Sequence, residues 1–179
     1  MSIKPRDPLL GFAKGLTWFF IGILGFAAGM LTICSPFIFL KKAEILAQLA
    51  EKGVTVGDSF VAILFLVLVS IAGLLALMIW FLRLLQKIID SVGEGDPFIP
   101  ENADRLSRMG WITVAGYVAS VPIGATIGYV AKIAADAGES VDAEVNMGGG
   151  GILLILVLFV LARVFRHGSA MRADLEGTV

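Results

Sequence analysis

Four stretches of this chain carry no Asp, Glu, Lys, Arg or His: residues 15–40, 59–82, 109–131 and 145–162, together 91 of 179 residues. No other feature limits the fold so strongly. A helix rises about 1.5 Å per residue, so roughly 20 apolar residues cross a hydrocarbon layer about 30 Å thick. In lipid every backbone donor and acceptor must be satisfied internally, which leaves helices for runs of this length. The first three runs span 26, 24 and 23 residues and meet the requirement directly. The fourth has 18 and opens with Asn146 and the glycines Gly148–Gly151, so its dense part is Ile152–Ala162. Arg163 can snorkel and carry the helix on through Val164 and Phe165. The expectation is a single transmembrane domain over residues 1–179 with spans at about 16–38, 59–82, 109–131 and 149–165. Hydrophobic residues make up 58% and charged residues 16%, against about 25% charged in a soluble domain. An ordinary soluble enzyme is excluded. The net charge of -1 gives no reason to expect direct binding to nucleic acid.

Orientation follows from the connections. The N-terminal segment 1–14, the central connection 83–108 and the tail 163–179 hold 10 Lys/Arg, whereas 41–58 and 132–144 hold 4. The positive-inside rule places both termini and the central connection in the cytoplasm. Trp18, Trp80 and Trp111 fall at the ends of spans on that same side, where an aromatic belt is expected. The connection Lys132–Glu144, with Asp136, Glu139, Asp142 and Glu144 against one lysine, reads as a small acidic outer loop. The first run is too long for the apolar part of a signal peptide, and further spans follow it.

Small residues set how closely membrane helices approach. Gly22, Gly25 and Gly29 line one side of the first span, and Gly116, Ser120, Gly124 and Gly128 one side of the third. They predict a tight contact between these spans, or a homodimer seam. The second span, rich in large aliphatics, is expected to face lipid. Pro122 predicts a kink in the third span. No ionisable residue lies deep in any span, which argues against a proton-coupled pump or a charged pore. Cys34 is the only cysteine and is assigned to packing near the outer end of the first span.

Outside the hydrocarbon, Lys41–Gly53 reads as a short amphipathic helix stopped by Gly53, on the outer surface, capping the bundle, or extending the first span. In the central connection, Leu84–Val92 continues as helix and is stopped by Gly93 and Gly95; Asp96-Pro97 then forces a turn. Phe98 and Ile99 are expected to plug the space between helix ends. Asn102 reads as the N-cap of the next helix, with Asp104 in its first turn. In the tail, Gly168 ends or bends a helix, and Leu175 and Val179 anchor it to the central loop. Arg105, Arg108 or Arg172 would pair with Asp174, Glu176 or the terminal carboxylate. Glu94, Asp96, Glu101 and Asp104 lack a calcium-loop pattern and a nearby histidine, so they are read as caps and ion pairs. No catalytic, cofactor-binding or metal-binding residue is expected.

These two segments carry a resemblance. Gly95-Asp96-Pro97-Phe98 with Asn102-Ala103 and Arg105-Leu106, and then Phe165-Arg166, Gly168, Met171-Arg172, Asp174-Leu175 and Thr178-Val179, resemble a bacterial family of four-pass membrane proteins (domain of unknown function 2975). Many members are similar in ending on Asp-Leu-Thr-Val; here two further residues stand between Leu175 and Thr178. The resemblance implies no catalytic residues. It implies a link to small helix-turn-helix regulators, beside whose genes some members lie. The expected fold is an all-α, integral-membrane four-helix bundle with a short amphipathic outer helix and a small cytoplasmic cap. The expected role is regulation or protein interaction at the inner membrane, with transporter or channel accessory subunit as the alternative. The candidate surface is Asp96, Phe98, Asn102, Arg105, Arg172, Asp174, Leu175 and Val179. Its expected partners are the lipid bilayer, a soluble cytoplasmic regulator and a second copy of the chain.

Overall fold

The computed structural model describes residues 8–139 and 149–176, the last two by backbone alone. Among the described residues the regular structure is entirely helical: α1 (Pro8–Cys34), α2 (Phe37–Leu40), α3 (Lys42–Glu51), α4 (Phe60–Glu94), α5 (Pro100–Asp136) and α6 (Gly149–Glu176). Four segments are long and apolar enough to cross a membrane: α1 with α2, α4, α5 and α6. The protein is a multi-pass membrane protein.

The helices outrun the hydrophobic stretches that nucleate them. α4 has 35 residues and α5 has 37, which at 1.5 Å per residue is roughly 50–55 Å each, well beyond the hydrocarbon layer. α5 stays helical through Pro122. The first span instead breaks at Ser35-Pro36, before its expected end, where α1 gives way to the four-residue α2. Proline has no N–H to continue the ladder. Cys34 therefore closes α1, and it is exposed rather than packed.

Three helices end in the same way. Gly53, Gly95 and Gly138 have φ of 82°, 89° and 80°. Each is followed by a residue whose N–H reaches back to the carbonyl five positions earlier: Val54 to Leu49 at 2.9 Å, Asp96 to Ser91 at 3.1 Å and Glu139 to Ala134 at 2.9 Å. This is the Schellman arrangement, which needs a left-handed residue and so favours glycine. Gly93, an expected stop, lies inside α4. Two of the residues placed just after the glycine, Asp96 and Glu139, are acids, and both form ion pairs.

The chain forms two compact units. The first takes residues up to Leu24, Leu77–Ala115 and from Gly148 onward, and so holds all three tryptophans. Its apolar core is Leu84 and Ile88 of α4, Leu106, Met109 and Ile112 of α5, and Leu158 and Ala162 of α6. Gly110 lets α6 come close: a Cβ there would lie 3.0 Å from the Phe159 ring. That ring meets Trp111 edge-on, with centroids 5.6 Å apart. Lys14 of α1 pairs with Asp90 of α4 at 2.7 Å.

The second unit takes Gly25–Ala76 and Gly116–Met147. In it Ile45 and Leu49 of α3 line a cleft of about 330 Å³ together with Phe60 and Leu64 of α4 and Val130 and Ile133 of α5. The amphipathic face of α3 thus turns toward α4 and α5. Lys52 and Glu139, both lining the cleft, pair with each other, and elsewhere in the unit Lys42 pairs with Asp58 at 3.2 Å. Asp142 and Glu144 of the expected acidic loop lie outside the described residues.

Two expectations about packing are corrected. α4, expected to face lipid, has 17% of its most apolar window buried, against 6% for α1. Branched aliphatics interlock and fill the space between helices, whereas glycine only permits approach. An added Cβ at Gly22, Gly25, Gly29, Gly116 or Gly128 would meet nothing within 4 Å, so none of these five glycines seats a close helix contact within the described chain.

Four hydroxyls in the spans are satisfied by their own helices. Thr17 donates to Ala13 O, Thr113 to Met109 O, Ser120 to Tyr117 O and Thr126 to Pro122 O, all at 2.7–2.9 Å. Back-bonding of this kind needs no partner helix. Gln86 differs: it is 8% exposed, and its Nε2 finds no acceptor among the described residues. An unmet buried donor costs about 1–3 kcal/mol. Gln86→Met keeps the length without the polar atoms, so its detergent melting temperature should rise by several degrees. An unchanged or lower midpoint would contradict the assignment.

Candidate functional site

The central connection and the tail of α6 come together in the first unit. Gly95 turns the chain out of α4, and Pro100 starts α5, its fixed φ suited to the first helical position. Asn102 is therefore not the N-cap. It lies inside the first turn, and its own N–H bonds to Ile99 O at 3.0 Å. The acid in that turn is Glu101, not Asp104.

Asn102 is 0% exposed and pins the connection from within. Its Nδ2 donates to Ser91 Oγ at 2.6 Å and to Pro97 O at 2.9 Å. Its Oδ1 accepts from Arg105 Nη1 at 2.7 Å, and Arg105 also donates to Lys87 O at 3.1 Å. The Ser91 hydroxyl in turn donates a hydrogen bond to Ile88 O at 2.8 Å. The end of α4, the loop and the start of α5 are thus tied through one side chain. The primary amide meets this demand because it offers two donors and an acceptor together.

Three contacts carry the loop onto α6. Asp96 accepts from Arg172. Asp104 accepts from Arg166 at 3.1 Å. The Phe98 ring lies 5.2 Å from that of Phe165 and so close over Gly168 that a Cβ there would sit 2.9 Å from it. Gly168 neither ends nor interrupts α6, which runs on to Glu176. It is the floor on which Phe98 rests. Phe98 remains 43% exposed, so it covers α6 rather than plugging the space between helix ends.

The expected site residues divide accordingly. Asp96, Phe98, Asn102, Arg105 and Arg172 belong to one connected set. Arg105 bonds within the loop, and Arg172 reaches Asp96. Asp174 is exposed near the end of α6. The Leu175 side chain and Val179 lie outside the described residues. Phe165, Arg166, Gly168 and Asp104 join the set, a role the sequence reading did not give them. Among the described residues no group of three or more His, Cys, Asp or Glu is placed to hold a metal ion.

In the second unit, the hydrogen bond and charge of Lys52 hold the exposed Glu139 carboxyl below its usual range. A lowered pKa means that the tether is complete above the ordinary carboxylate range and is lost as pH falls through Glu139's own pKa. Spin labels on α3 and α5 should give a narrow distance distribution at neutral pH that broadens only once the pH has fallen below the ordinary carboxylate range. Lys52→Met should be broad throughout. A wild-type distribution unchanged by acid would refute the tether.

A family model described as a protein of unknown function (DUF2975) matches residues 37–179. The match begins at the first residue of α2 and includes the loop and the whole of α6. No curated protein and no solved structure gives a match to the chain.

Proposed function

The chain belongs to the DUF2975 family, and we propose that it is an inner-membrane regulatory or interaction protein whose loop and α6 tail bind a soluble cytoplasmic regulator. In this reading both termini and the central connection are cytoplasmic, as the Lys/Arg distribution favours. The whole chain is then a four-helix bundle, with α3 on the outer side and the loop–tail contact as its cytoplasmic cap. One observation carries the proposal. The two polar segments of a largely apolar chain meet through Asp96–Arg172, Asp104–Arg166 and Phe98 on Gly168. The half-exposed Phe98, flanked by charge, offers an apolar anchor within a polar rim, as interfaces commonly do. The open Gly25 and Gly29 positions leave room for a second copy.

Affinity isolation of the full chain in mild detergent tests this. A soluble cytoplasmic protein should co-isolate with wild type and with Arg108→Gln, and be lost with Phe98→Ala and Arg172→Ala. Recovery that is insensitive to the loop–tail variants would refute the reading. A multi-pass transporter in its place would support the accessory-subunit alternative.

A further inference from the structure

The outward face of α6 holds a groove of about 680 Å³ that the loop–tail contact leaves open. Its lining includes Arg163, Val164, His167, Met171 and Arg172 of α6, with Phe98 at one side. The α6 members recur with helical spacing, so they form one stripe. Arg163 is the first charge after the uncharged run 145–162, which places the stripe at the boundary between hydrocarbon and water. Arg172 is engaged with Asp96. Arg163 and His167, one turn apart, form no ion pair or hydrogen bond among the described residues, and no carboxylate lines the groove. Toward the membrane, the exposed Val160, Val157 and Leu153 continue the line of Val164 along α6.

We propose that this groove seats an anionic phospholipid. Arg163 presents a planar fork suited to two phosphate oxygens, and His167 adds an N–H donor to the same group. Val164 and Met171 flank the headgroup, and one acyl chain follows Val160, Val157 and Leu153. Charge selects the occupant. A zwitterionic lipid brings its own cation to the two basic residues, and a cationic segment is repelled. The groove shares Phe98 and Arg172 with the surface of the regulator-binding reading, but its anion-binding pair, Arg163 and His167, takes no part in the contact between loop and tail, so the two can be tested apart.

The test uses the full chain in neutral detergent, titrated with phosphatidylglycerol or phosphatidylcholine, with bound lipid counted by native mass spectrometry. Wild type should bind phosphatidylglycerol more tightly than phosphatidylcholine by about tenfold, given the attraction of a basic side chain for an anionic surface. Arg163→Gln with His167→Gln should abolish the preference, while Arg108→Gln keeps it. Lipid-free melting of all three proteins should coincide, since the altered side chains have no partner to lose. Equal binding of the two lipids by wild type would overturn the proposal. So would an undiminished preference in the double variant, or displacement of bound phosphatidylglycerol by a co-isolated protein at one-to-one stoichiometry.

Discussion

Replacing Asn102 with alanine should cost about 3 kcal/mol, because three hydrogen bonds are lost and the Pro97 carbonyl is left without its donor. For a chain of this length that lowers the melting midpoint by about 6–12 °C. Asn102→Asp discriminates further. A carboxylate is nearly isosteric but donates nothing. It would confront the Pro97 carbonyl and Ser91 Oγ with a third acceptor, keeping only the bond from Arg105. The aspartate variant should therefore be at least as damaging as alanine, despite filling the site. Thermal unfolding in detergent, followed by tryptophan fluorescence, is the measurement. Near-wild-type stability of either variant would mean that the amide does not hold the connection.

The second large effect is expected at Gly110. A Cβ there meets three atoms of the Phe159 ring at 3.0–3.2 Å, and the same ring meets Trp111 edge-on. Gly110→Ala sets this crowding against a gain of about 1 kcal/mol in helix propensity, so its net effect should be small. Gly110→Leu cannot be absorbed by a few tenths of an ångström. It must push Phe159 out or part α5 from α6, at about 2–3 kcal/mol for overpacking. Phe159→Ala in the same chain should recover much of that loss, while Phe159→Ala alone should destabilise. A double-mutant cycle with no coupling would show that the two side chains do not meet.

The spans and their order were legible because missing charge over about 20 residues is an unambiguous physical demand in lipid. All three tryptophans fall in one unit. The glycines were not legible. Gly25/Gly29 and Gly124/Gly128 carry the familiar small-xxx-small spacing, yet the close approaches found here are a phenylalanine ring on Gly110 and another on Gly168. That kind of contact depends on which helix brings the ring, and one strand of sequence does not say. Gly168 reads as the end or bend of a helix, since a glycine in a tail gives no hint of the ring that packs on it.

In the connection, composition identified the residues but misassigned their roles. Asn102 has a good N-cap side chain, but Pro100 starts the helix two residues earlier and turns that side chain inward. Arg172 bonds to Asp96 across the fold, a pairing that its neighbours in sequence do not suggest. Ion pairing between distant segments is fixed by how the helices pack, and charge counting leaves it open. Leu84–Val92 was correctly read as helix, because nothing in it competes with the helical ladder before Gly95 supplies a left-handed turn.

The central claim is that loop and tail meet and do so on the cytoplasmic face. Cysteines at positions 96 and 172, in a Cys34→Ser background, test both parts with one short, membrane-impermeant bismaleimide. An efficient intramolecular crosslink is expected in inside-out vesicles and none in intact cells. A crosslink in intact cells would reverse the topology, and no crosslink in either preparation would remove the contact on which the proposed function rests.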